Sequence, residues 1–483
     1  MSSTEGTRSS HLKRSISDVL NEEREETNAA GLPNGPPPKA RRRIDGDRSP
    51  AQRAQHGLVN RAPDAAETAA QAVKSGTTPP NTFLSYPDLA NPKPQSVPFQ
   101  QPSQLITFSY TPEHVQEFTD SALRYYVDPP PGANLSHGYE RWTRKPDERG
   151  RIDALLKAIS RVKHDPKRGG LPEIGVVSWR GVMTKILTAP YETRDGWELN
   201  VMSVNGTLYL EEHLSDDRLN EKNNMTDRQR SQTYHGYAFE SYCTSEMPPD
   251  KVPMNDPLPG VPPGWRGDVD TNVQWCSVVR TKIGDMRMII GGEVDCVRGK
   301  YTGQTDTFVE LKTSLSIRGQ RDEANFERKL LKFYFQSFLL GVPEIVVGFR
   351  TPAGVVTTVQ SFKTIQLPRL VRGKAGAWDP LVCLDWGYKF LTFVKDLIRQ
   401  ATSEKSKEDH SASVWRVKFV PGSGVRVEAL GPEGVRDVVN GEDRVGFLPR
   451  WYWDEIKGER HAKEQEEKKH MPVPPLANAG WQI

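Results

Sequence analysis

The residues best suited to chemistry form two charged pairs on either side of a turn-prone segment, residues 299–306. Glu293 and Asp295 are two residues apart, and so are Glu310 and Lys312. Successive side chains of a strand point to opposite faces, so the members of each pair should share one face of their strand. A hairpin or a short crossover would therefore bring the four side chains together.

Clustered carboxylates beside a lysine are suited to phosphate hydrolysis. Hard divalent cations such as Mg²⁺ take oxygen ligands and keep several waters, so carboxylates next to a phosphate can hold them. The metal lowers the pKa of a water, while a lysine can hold that water or help deprotonate it, and can stabilise charge on the phosphate. A solvent-exposed hairpin with alternating charges is the alternative. Two such pairs, linked by one turn and flanked by apolar strands, favour the metal site.

Glu240 is a further candidate because of the residues that precede it. It ends an apolar and aromatic run that begins at Tyr234. Burial of a carboxylate without a partner is costly, so a metal ion or a basic side chain would satisfy Glu240 there. A helix that leaves Glu240 in water is the alternative.

Basic and polar residues that could contact phosphates occur in two places. Arg180 lies at the end of a predicted strand, where an isolated arginine would most often form a surface salt bridge. A predicted helix over residues 322–340 carries Arg328, Lys332 and Gln336 at intervals of four, along a side separate from its apolar face. That stripe can face a phosphate backbone, and a solvated basic face is the alternative.

The order of these motifs resembles a known family. An acidic residue followed on the next strand by Glu-x-Lys resembles the PD-(D/E)xK nuclease core, and the chain as a whole, over residues 106–453, resembles the DXO-like decapping exonucleases. The resemblance is strongest to the fungal nuclear members, which accompany the large nuclear 5′→3′ exoribonuclease. The matching blocks are Trp179-Arg180-Gly181, Gly236-Tyr237-Ala238-Phe239-Glu240, Gly292-Glu293-Val294-Asp295, Phe308-Val309-Glu310-Leu311-Lys312 and Lys332-Phe333-Tyr334-Phe335-Gln336.

The resemblance implies a role for each candidate residue. One or two Mg²⁺ or Mn²⁺ ions would be bound by Glu240, Glu293, Asp295, Glu310 and the Leu311 carbonyl. Lys312 would orient the attacking water and contact the substrate, and Arg180 and Gln336 would hold the RNA. The planar, permanently charged guanidinium of Arg180 suits contact with a 5′ phosphate.

The implied reaction is hydrolysis at an RNA 5′ end. Incomplete caps, NAD-type caps or 5′ triphosphates would be removed, leaving a 5′ monophosphate for 5′→3′ decay. A non-catalytic protein that stabilises and stimulates the nuclear exoribonuclease is an alternative, although all four charged positions of the two central strands are present. A DNA-directed nuclease with the same core is another.

The composition divides the chain into three parts. Residues 1–103 are rich in Ser, Pro, Ala and charge, with no aromatic residue before Phe83, and are expected to be disordered. Residues 104–456 should form one catalytic domain, an α/β fold with a mixed sheet and surrounding helices. Residues 457–483 form a charged, Pro-rich tail. Within the first part, the basic run 39–43 could be a nuclear import signal, a weak nucleic-acid patch or simply a solvated tail.

Charge and cysteine usage limit the remaining possibilities. The formal net charge is +3 over 483 residues, so any nucleic-acid surface must be local. The four cysteines form no CxxC pair and no zinc pattern, which is typical of free thiols in a reducing compartment. We find neither an apolar run of membrane-spanning length nor a signal peptide, and expect a nuclear protein without membrane contact.

Local signals predict several individual elements. Asn205-Gly206, between two apolar runs, predicts a hairpin. Thr111-Pro112-Glu113 predicts the start of a helix, with Thr111 as the cap and Pro112 in the first turn. The aromatic segment 447–453 is expected to dock on the core.

Overall fold

The structure is a computed structural model that describes residues 82–168, 170–251, 260–403 and 413–459. Its α-helices are α1 (Asp153–Lys163), α2 (Arg180–Thr188), α3 (Asp216–Asn223), α4 (Asp227–Cys243), α5 (Gln320–Leu340), α6 (Leu367–Val371), α7 (Pro380–Ser403), α8 (Pro432–Val439) and α9 (450–459). Single-turn 3₁₀ helices lie at Tyr139–Arg141, Pro166–Arg168, Ala189–Tyr191, Pro249–Lys251, Thr305–Thr307 and Thr364–Gln366.

The strands belong to two large mixed sheets and one small ribbon. They are β1 (Phe83–Ser85), β2 (Phe99–Tyr110), β3 (Gln116–Glu117), β4 (Tyr125–Tyr126), β5 (Val176–Trp179), β6 (Trp197–Val204), β7 (Thr207–His213), β8 (Thr244–Ser245), β9 (Gln274–Ile283), β10 (Met286–Glu293), β11 (Cys296–Val297), β12 (Phe308–Leu315), β13 (Glu344–Arg350), β14 (Val356–Lys363), β15 (Trp415–Val420), β16 (Gly424–Ala429), β17 (Arg444–Val445) and β18 (Leu448–Pro449).

The first sheet has the strand order β1-β16-β15-β6-β7-β5-β10-β9-β2-β3, and the second has the order β14-β13-β12-β11-β4-β8. In the first sheet, β5 is parallel to both β7 and β10, and the sheet's other pairings are antiparallel. In the second sheet, β12 is parallel to β13 but antiparallel to β11. The predicted mixed α/β architecture is confirmed. The chain passes from one sheet to the other between β10 and β11.

Helix α5 links the two sheets, because it packs against β9 and β10 of the first and β12 and β13 of the second. Helix α2 packs on α5, and α4 packs on β12. One apolar core forms between the first sheet, α1 and α9, and contains Phe108, Leu156 and Tyr452. A second core forms between α4 and the second sheet and contains Phe239 and Leu311.

Several local predictions are confirmed. Asn205 and Gly206 both have positive φ, 51° and 81°, in the turn between β6 and β7. Such a turn matches the twist of the flanking strands. The helix predicted over residues 322–340 is α5. Phe447 and Tyr452 are fully buried in the first core, as the aromatic segment predicts.

The helix predicted at Thr111 is wrong. Residues 111–115 form a turn between β2 and β3, in which the amide of His114 donates to the carbonyl of Thr111 at 2.8 Å. Thr111 does accept from a later amide, that of Val115, but its hydroxyl closes this turn instead of capping a helix. The pairing of β2 with β3 takes the following residues, so the local capping signal is overridden.

The folded region extends ahead of residue 104. Strand β1 pairs with β16 from Phe83 onward, and β2 begins at Phe99. The described residues exclude 1–81 and 460–483, which hold most of the region predicted to be disordered, the basic run 39–43 and most of the predicted tail. Among the described helices, none is long and apolar enough to span a bilayer.

The approach of α4 to the second sheet requires a glycine on β13. A Cβ atom at Gly348 would lie 2.5 Å from the Phe239 ring of α4. Gly348→Ala should therefore destabilise the fold by about 1–3 kcal/mol through overpacking. Gly236→Ala, on α4 with no neighbour within 4 Å of the new Cβ, should instead stabilise it by up to about 1 kcal/mol. Urea unfolding measures both, and equal effects would contradict the close approach.

Candidate active site at the junction of the two sheets

The charged residues of the central motif lie where the chain changes sheet. Glu293 is the last residue of β10, in the first sheet, and Asp295 lies between β10 and β11. Glu310 and Lys312 lie on β12, in the second sheet. The four side chains are thus brought together by a crossover between sheets. Asp295 is outside the strands, so the predicted shared strand face with Glu293 is wrong.

Glycine at position 292 permits a close approach at this crossover. A Cβ atom there would lie 2.9 Å from the Cβ of Arg180 and 2.9 Å from Cδ1 of Leu340. Arg180 is the first residue of α2 and directly follows Trp179, which pairs with Gly291 across the parallel strands β5 and β10. The parallel pairing of β5 with β10 therefore places Arg180 beside the end of β10.

Glu310 is the electrostatic centre of this arrangement. Glu310 is fully buried, at 0% exposure, and each of its two carboxylate oxygens accepts a hydrogen bond from a different cationic side chain. The Arg180 guanidinium lies 2.8 Å from Oε2, and Nζ of Lys312 lies 2.5 Å from Oε1. A buried carboxylate requires such partners, because an uncompensated charge is costly in a low-dielectric interior.

These contacts fix the protonation states of the three groups. Burial acts to raise the pKa of Glu310, but Arg180 and Lys312 hold it well below its ordinary value. Burial acts to lower the pKa of Lys312, but the attraction of Glu310 and Asp295 raises it instead. The pKa of Arg180 is raised against burial by Glu310, Asp295 and Glu293. Lys312 is therefore a charged donor at neutral pH.

Asp295 is held by the backbone of β12. The amide of Leu311 donates to Oδ2 of Asp295 at 2.6 Å. In a strand, the N–H and C=O of one residue point to the same edge, so the Leu311 carbonyl is also turned toward the edge that Asp295 occupies. This direction is the one that the implied ligand role of the Leu311 carbonyl requires.

Glu240 reaches the same region from α4. The helix begins with a capping box, in which the side chains of Thr226 and Gln229 each accept from the other's backbone amide. Tyr234 and Phe239 of α4 are buried in the second core. Glu240 does not project into bulk water: with Glu293 and Asp295 it lines one cavity of about 230 Å³.

The three carboxylates of this cavity carry more negative charge than their surroundings compensate. The pKa of Glu293 is raised to about 7, first by burial and then by the charge of Asp295. The pKa of Asp295 is raised by burial and by Glu310, and that of Glu240 is raised well above its ordinary value by burial, Asp295 and Glu293. A cation in the cavity would relieve this repulsion.

The donor set is chemically suited to a hard divalent cation, since every candidate ligand is an oxygen. As the side chains stand, no group of three or more His, Cys, Asp or Glu residues within the described ranges is placed to hold a metal ion. Glu310 is turned toward Arg180 and Lys312. Metal binding would therefore require the carboxylates to draw closer together.

Gln336 lies on α5 and is half-buried. One turn later on the same face, Leu340 reaches the position beside Gly292 and Arg180. Seven residues earlier, Nζ of Lys329 lies 3.4 Å from the hydroxyl of Ser314 on β12. Gln336 thus belongs to a helical stripe between these contacts, on the side of β12 that carries Glu310 and Lys312. Within the described residues, we find no hydrogen bond from its side chain to the cluster.

The rest of the predicted basic stripe faces solvent. Arg328 and Lys332 are exposed, and Lys332 forms an ion pair with Glu192 at 3.0 Å. The two residues are thus not brought to the carboxylates.

Sequence reasoning missed Gln274, the first residue of β9, and Tyr237 on α4. Nε2 of Gln274 donates to Glu293 at 3.0 Å. Tyr237 lines the cavity beside Glu240 and Glu293, and its position three residues before Glu240 on a helix was an available signal. The contact of Gln274 depends on the pairing of β9 with β10, which no local pattern specifies.

Comparisons with known proteins found a matching family, sequence relatives and similar solved structures. Residues 100–453 match the family described as RAI1-like PD-(D/E)XK nuclease. The decapping nuclease RAI1 of Mycosarcoma maydis is 34% identical, over 76% of this chain and 89% of the relative. The decapping and exoribonuclease protein of Bos taurus is also 34% identical, over 74% and 86%. The crystal structure of Candida albicans Rai1 in complex with pU5-Mn²⁺ is 25% identical with a TM-score of 0.64, covering 78% of this chain and 99% of that one.

The repulsion in the cavity predicts a pH-dependent gain in stability when Glu293 is neutralised. The folded-state pKa of about 7 exceeds the ordinary value of 4.5. Ionisation of Glu293 therefore disfavours the folded state increasingly from pH 4.5 to pH 7, and fully above that. Without metal, Glu293→Gln should raise the free energy of unfolding at pH 8 by about 1–3 kcal/mol, and by almost nothing at pH 4.

Chemical denaturation at the two pH values measures this effect. Glu428→Gln, at an exposed carboxylate on β16, should change neither value. Mn²⁺ should raise the melting temperature of the wild type more than that of Glu293→Gln, because a ligand stabilises the state that binds it. A loss of stability for Glu293→Gln at pH 8 would show that Glu293 is satisfied by its neighbours rather than repelled by them.

Proposed function

The chain belongs to the RAI1-like PD-(D/E)XK nuclease family, and we propose that it is a metal-dependent decapping hydrolase of RNA 5′ ends. Its substrates are incompletely capped RNA, NAD-capped RNA and 5′-triphosphate RNA. The product is 5′-monophosphate RNA, ready for 5′→3′ decay. The names of the relatives support the decapping activity, and the resemblance of the motifs supports the three substrate types.

One observation carries this proposal. Three carboxylates without sufficient counter-charge, Glu240, Glu293 and Asp295, line one cavity, and Glu310 with its two cations lies at the same junction of the sheets. A purely structural cluster would be expected to pair its acids with bases, as Glu310 is paired. Perturbed carboxylates in a cavity, next to a positively charged lysine, are typical of a hydrolytic site.

In the mechanism, Mg²⁺ or Mn²⁺ would be held by Glu240, Glu293, Asp295, Glu310 and the Leu311 carbonyl. When bound, such an ion polarises the scissile phosphate and lowers the pKa of a water. Lys312 remains protonated because its pKa is raised. In that state it donates a hydrogen bond to the attacking water or to a phosphate oxygen.

Arg180 and Gln336 hold the substrate in this mechanism. Arg180 presents a planar fork of donors whose orientation is fixed by Glu310, so it meets a phosphate oxygen without first being ordered. Gln336 offers an amide that has no hydrogen-bond partner in the cluster among the described residues. Binding of RNA by this site is supported by the likeness to the Candida albicans protein, whose complex contains pU5 and Mn²⁺.

The resemblance supports two further proposals, association with the nuclear 5′→3′ exoribonuclease and residence in the nucleus. A 5′-monophosphate product is the substrate that such an exonuclease requires, which would couple the two activities. A non-catalytic stabilising role is the alternative, and it is favoured only if the site is inactive towards every substrate.

Product analysis tests the proposed function. The protein is incubated with 5′-triphosphate, unmethylated-cap and NAD-capped RNA, with Mg²⁺ or Mn²⁺ and with chelator. We expect metal-dependent formation of 5′-monophosphate RNA. Glu293→Ala/Asp295→Ala should lower its rate by more than about 100-fold, because even the loss of a residue that only hydrogen-bonds to a metal ligand lowers activity about 10- to 100-fold.

Glu428→Ala/Glu433→Ala is the matched control, since it removes two exposed carboxylates outside the cluster. It should retain the wild-type rates. A folded wild type that forms no product from any substrate would overturn the catalytic proposal in favour of the stabilising role. Equal cleavage of deoxyribonucleotide substrates would instead indicate a DNA-directed nuclease.

A further inference from the structure

An open groove of about 1210 Å³ borders the carboxylate cluster. Glu293, Tyr237 and Gln274 line both this groove and the smaller cavity, so the two spaces meet at the candidate active site. A substrate with its reacting phosphate in the cluster would therefore extend into the groove. Tyr110 and His114 form part of its wall.

The rings of Tyr110 and His114 are stacked face to face. Their rings are nearly parallel, at 14°, with centroids 4.1 Å apart. Both residues are half-buried, and Tyr110 is the ring stacked on His114 among the residues that the structure describes. The opposite face of the imidazole is therefore free of any stacked ring within those residues.

The imidazole of His114 is fixed at both nitrogens. Nζ of Lys145 lies 2.7 Å from Nε2, and the carbonyl of Asn272 lies 3.2 Å from Nδ1. A lysine ammonium can only donate, so Nε2 is the acceptor and Nδ1 carries the proton that the carbonyl accepts. The two contacts thereby hold the ring in one orientation.

The backbone of His114 is also unusual, with φ of 57° in the turn between β2 and β3. A non-glycine residue pays conformational energy for this left-handed region, and such residues cluster at functional sites. A glycine or an asparagine would make the same turn with less strain. The histidine at this position instead places a rigid ring at the groove wall.

The charged groups of the groove do not form a basic track. Apart from the exposed Lys157, its lysine and arginine side chains are paired with acids, in the contacts Lys145–Glu148, Arg149–Asp216, Arg149–Asp437, Arg151–Glu211 and Arg151–Glu442. Among the described groove residues, Lys157 is therefore the basic side chain left to attract a phosphate. Flat aromatic surface is what the groove offers a nucleic acid, because every base has a face that can stack.

We propose that the Tyr110–His114 pair is a stacking platform for one nucleobase at the RNA 5′ end, on the groove side of the scissile bond. This inference rests on the proposed function for its substrate class. His114 is a substrate-positioning residue, and Lys145 keeps its ring oriented.

Direct binding tests the platform apart from catalysis. Asp295→Asn serves as the background, because Asp295 lines the smaller cavity but not the groove. Binding of a 5′-phosphorylated pentaribonucleotide is followed by fluorescence anisotropy in Ca²⁺. Adding His114→Ala should weaken binding about 5- to 150-fold, the range for loss of one base stack. His114→Phe should retain most of the affinity, and His164→Ala, at an exposed histidine outside the groove, all of it.

An RNA series with one abasic ribose at each position identifies the stacked base. At one position, removal of the base should weaken binding to the His114-containing protein and have little effect on His114→Ala, so that the two losses are not additive. The salt dependence should be the same for both proteins, because a stacking contact releases no counterions. The platform would be overturned if the losses of affinity from base removal and from His114→Ala were additive at every position. It would also be overturned if His114→Ala changed only the salt dependence of binding.

Two further measurements distinguish failure of the platform from failure of the protein to fold or to hydrolyse RNA. If His114→Ala unfolds, the same RNA series is run on His114→Phe and Lys145→Met. With Lys145→Met, removal of the stacked base should weaken binding less than it does in the wild type, because the His114 ring is no longer held. An undiminished loss of affinity without Lys145 would contradict its positioning role. If removal of one base weakens binding only when His114 is present, but the wild type forms no product, the hydrolase proposal is overturned and the platform is not. Product formation with no coupling at any position would overturn the platform alone.

Discussion

The site depends on one buried carboxylate that is shared by two cations. Glu310 belongs to the second sheet, and Arg180 follows directly after a strand of the first, so their ion pair joins the sheets at the cleft. Lys312, two residues along the same strand, supplies the second contact. Loss of one partner would leave an uncompensated buried charge, a change that costs about 3–5 kcal/mol in comparable cases. The same interaction therefore holds the sheets together and keeps Lys312 charged.

Glu310 and the other three carboxylates are treated in opposite ways by their surroundings. The pKa of Glu310 is held low by its cations, whereas burial and mutual repulsion raise those of Glu240, Glu293 and Asp295. A fold selected for stability alone would avoid such repulsion, and sites that break a stabilising rule are commonly functional. In the cavity that Glu240, Glu293 and Asp295 line, a bound divalent cation would replace this repulsion with attraction.

The groove beside this cavity also contains an ordered residue whose conformation is energetically unfavourable. The ring of His114 is held at two nitrogens and at a positive φ, yet these contacts contribute to no apolar core. Rigid elements support it, because Tyr110 ends β2, a strand of the sheet that also carries Glu293. Substrate binding at this surface would cost the protein less conformational entropy than binding at a mobile loop, since the protein side of the contact is already ordered.

Four features could be predicted from the sequence: the mixed α/β architecture, the helix α5, the turn at Asn205-Gly206 and the residues that make up the carboxylate cluster. Each of these depends on local spacing or on blocks of residues whose order is readable along the chain. The folding of the whole chain, by contrast, placed Asp295 outside the strands, brought Gln274 to Glu293 and made Thr111 close a turn. It also decided which acid is neutralised by cations and which three repel one another. Those outcomes depend on strand pairing and burial between segments far apart in the chain, and neither quantity is encoded in any single stretch of residues.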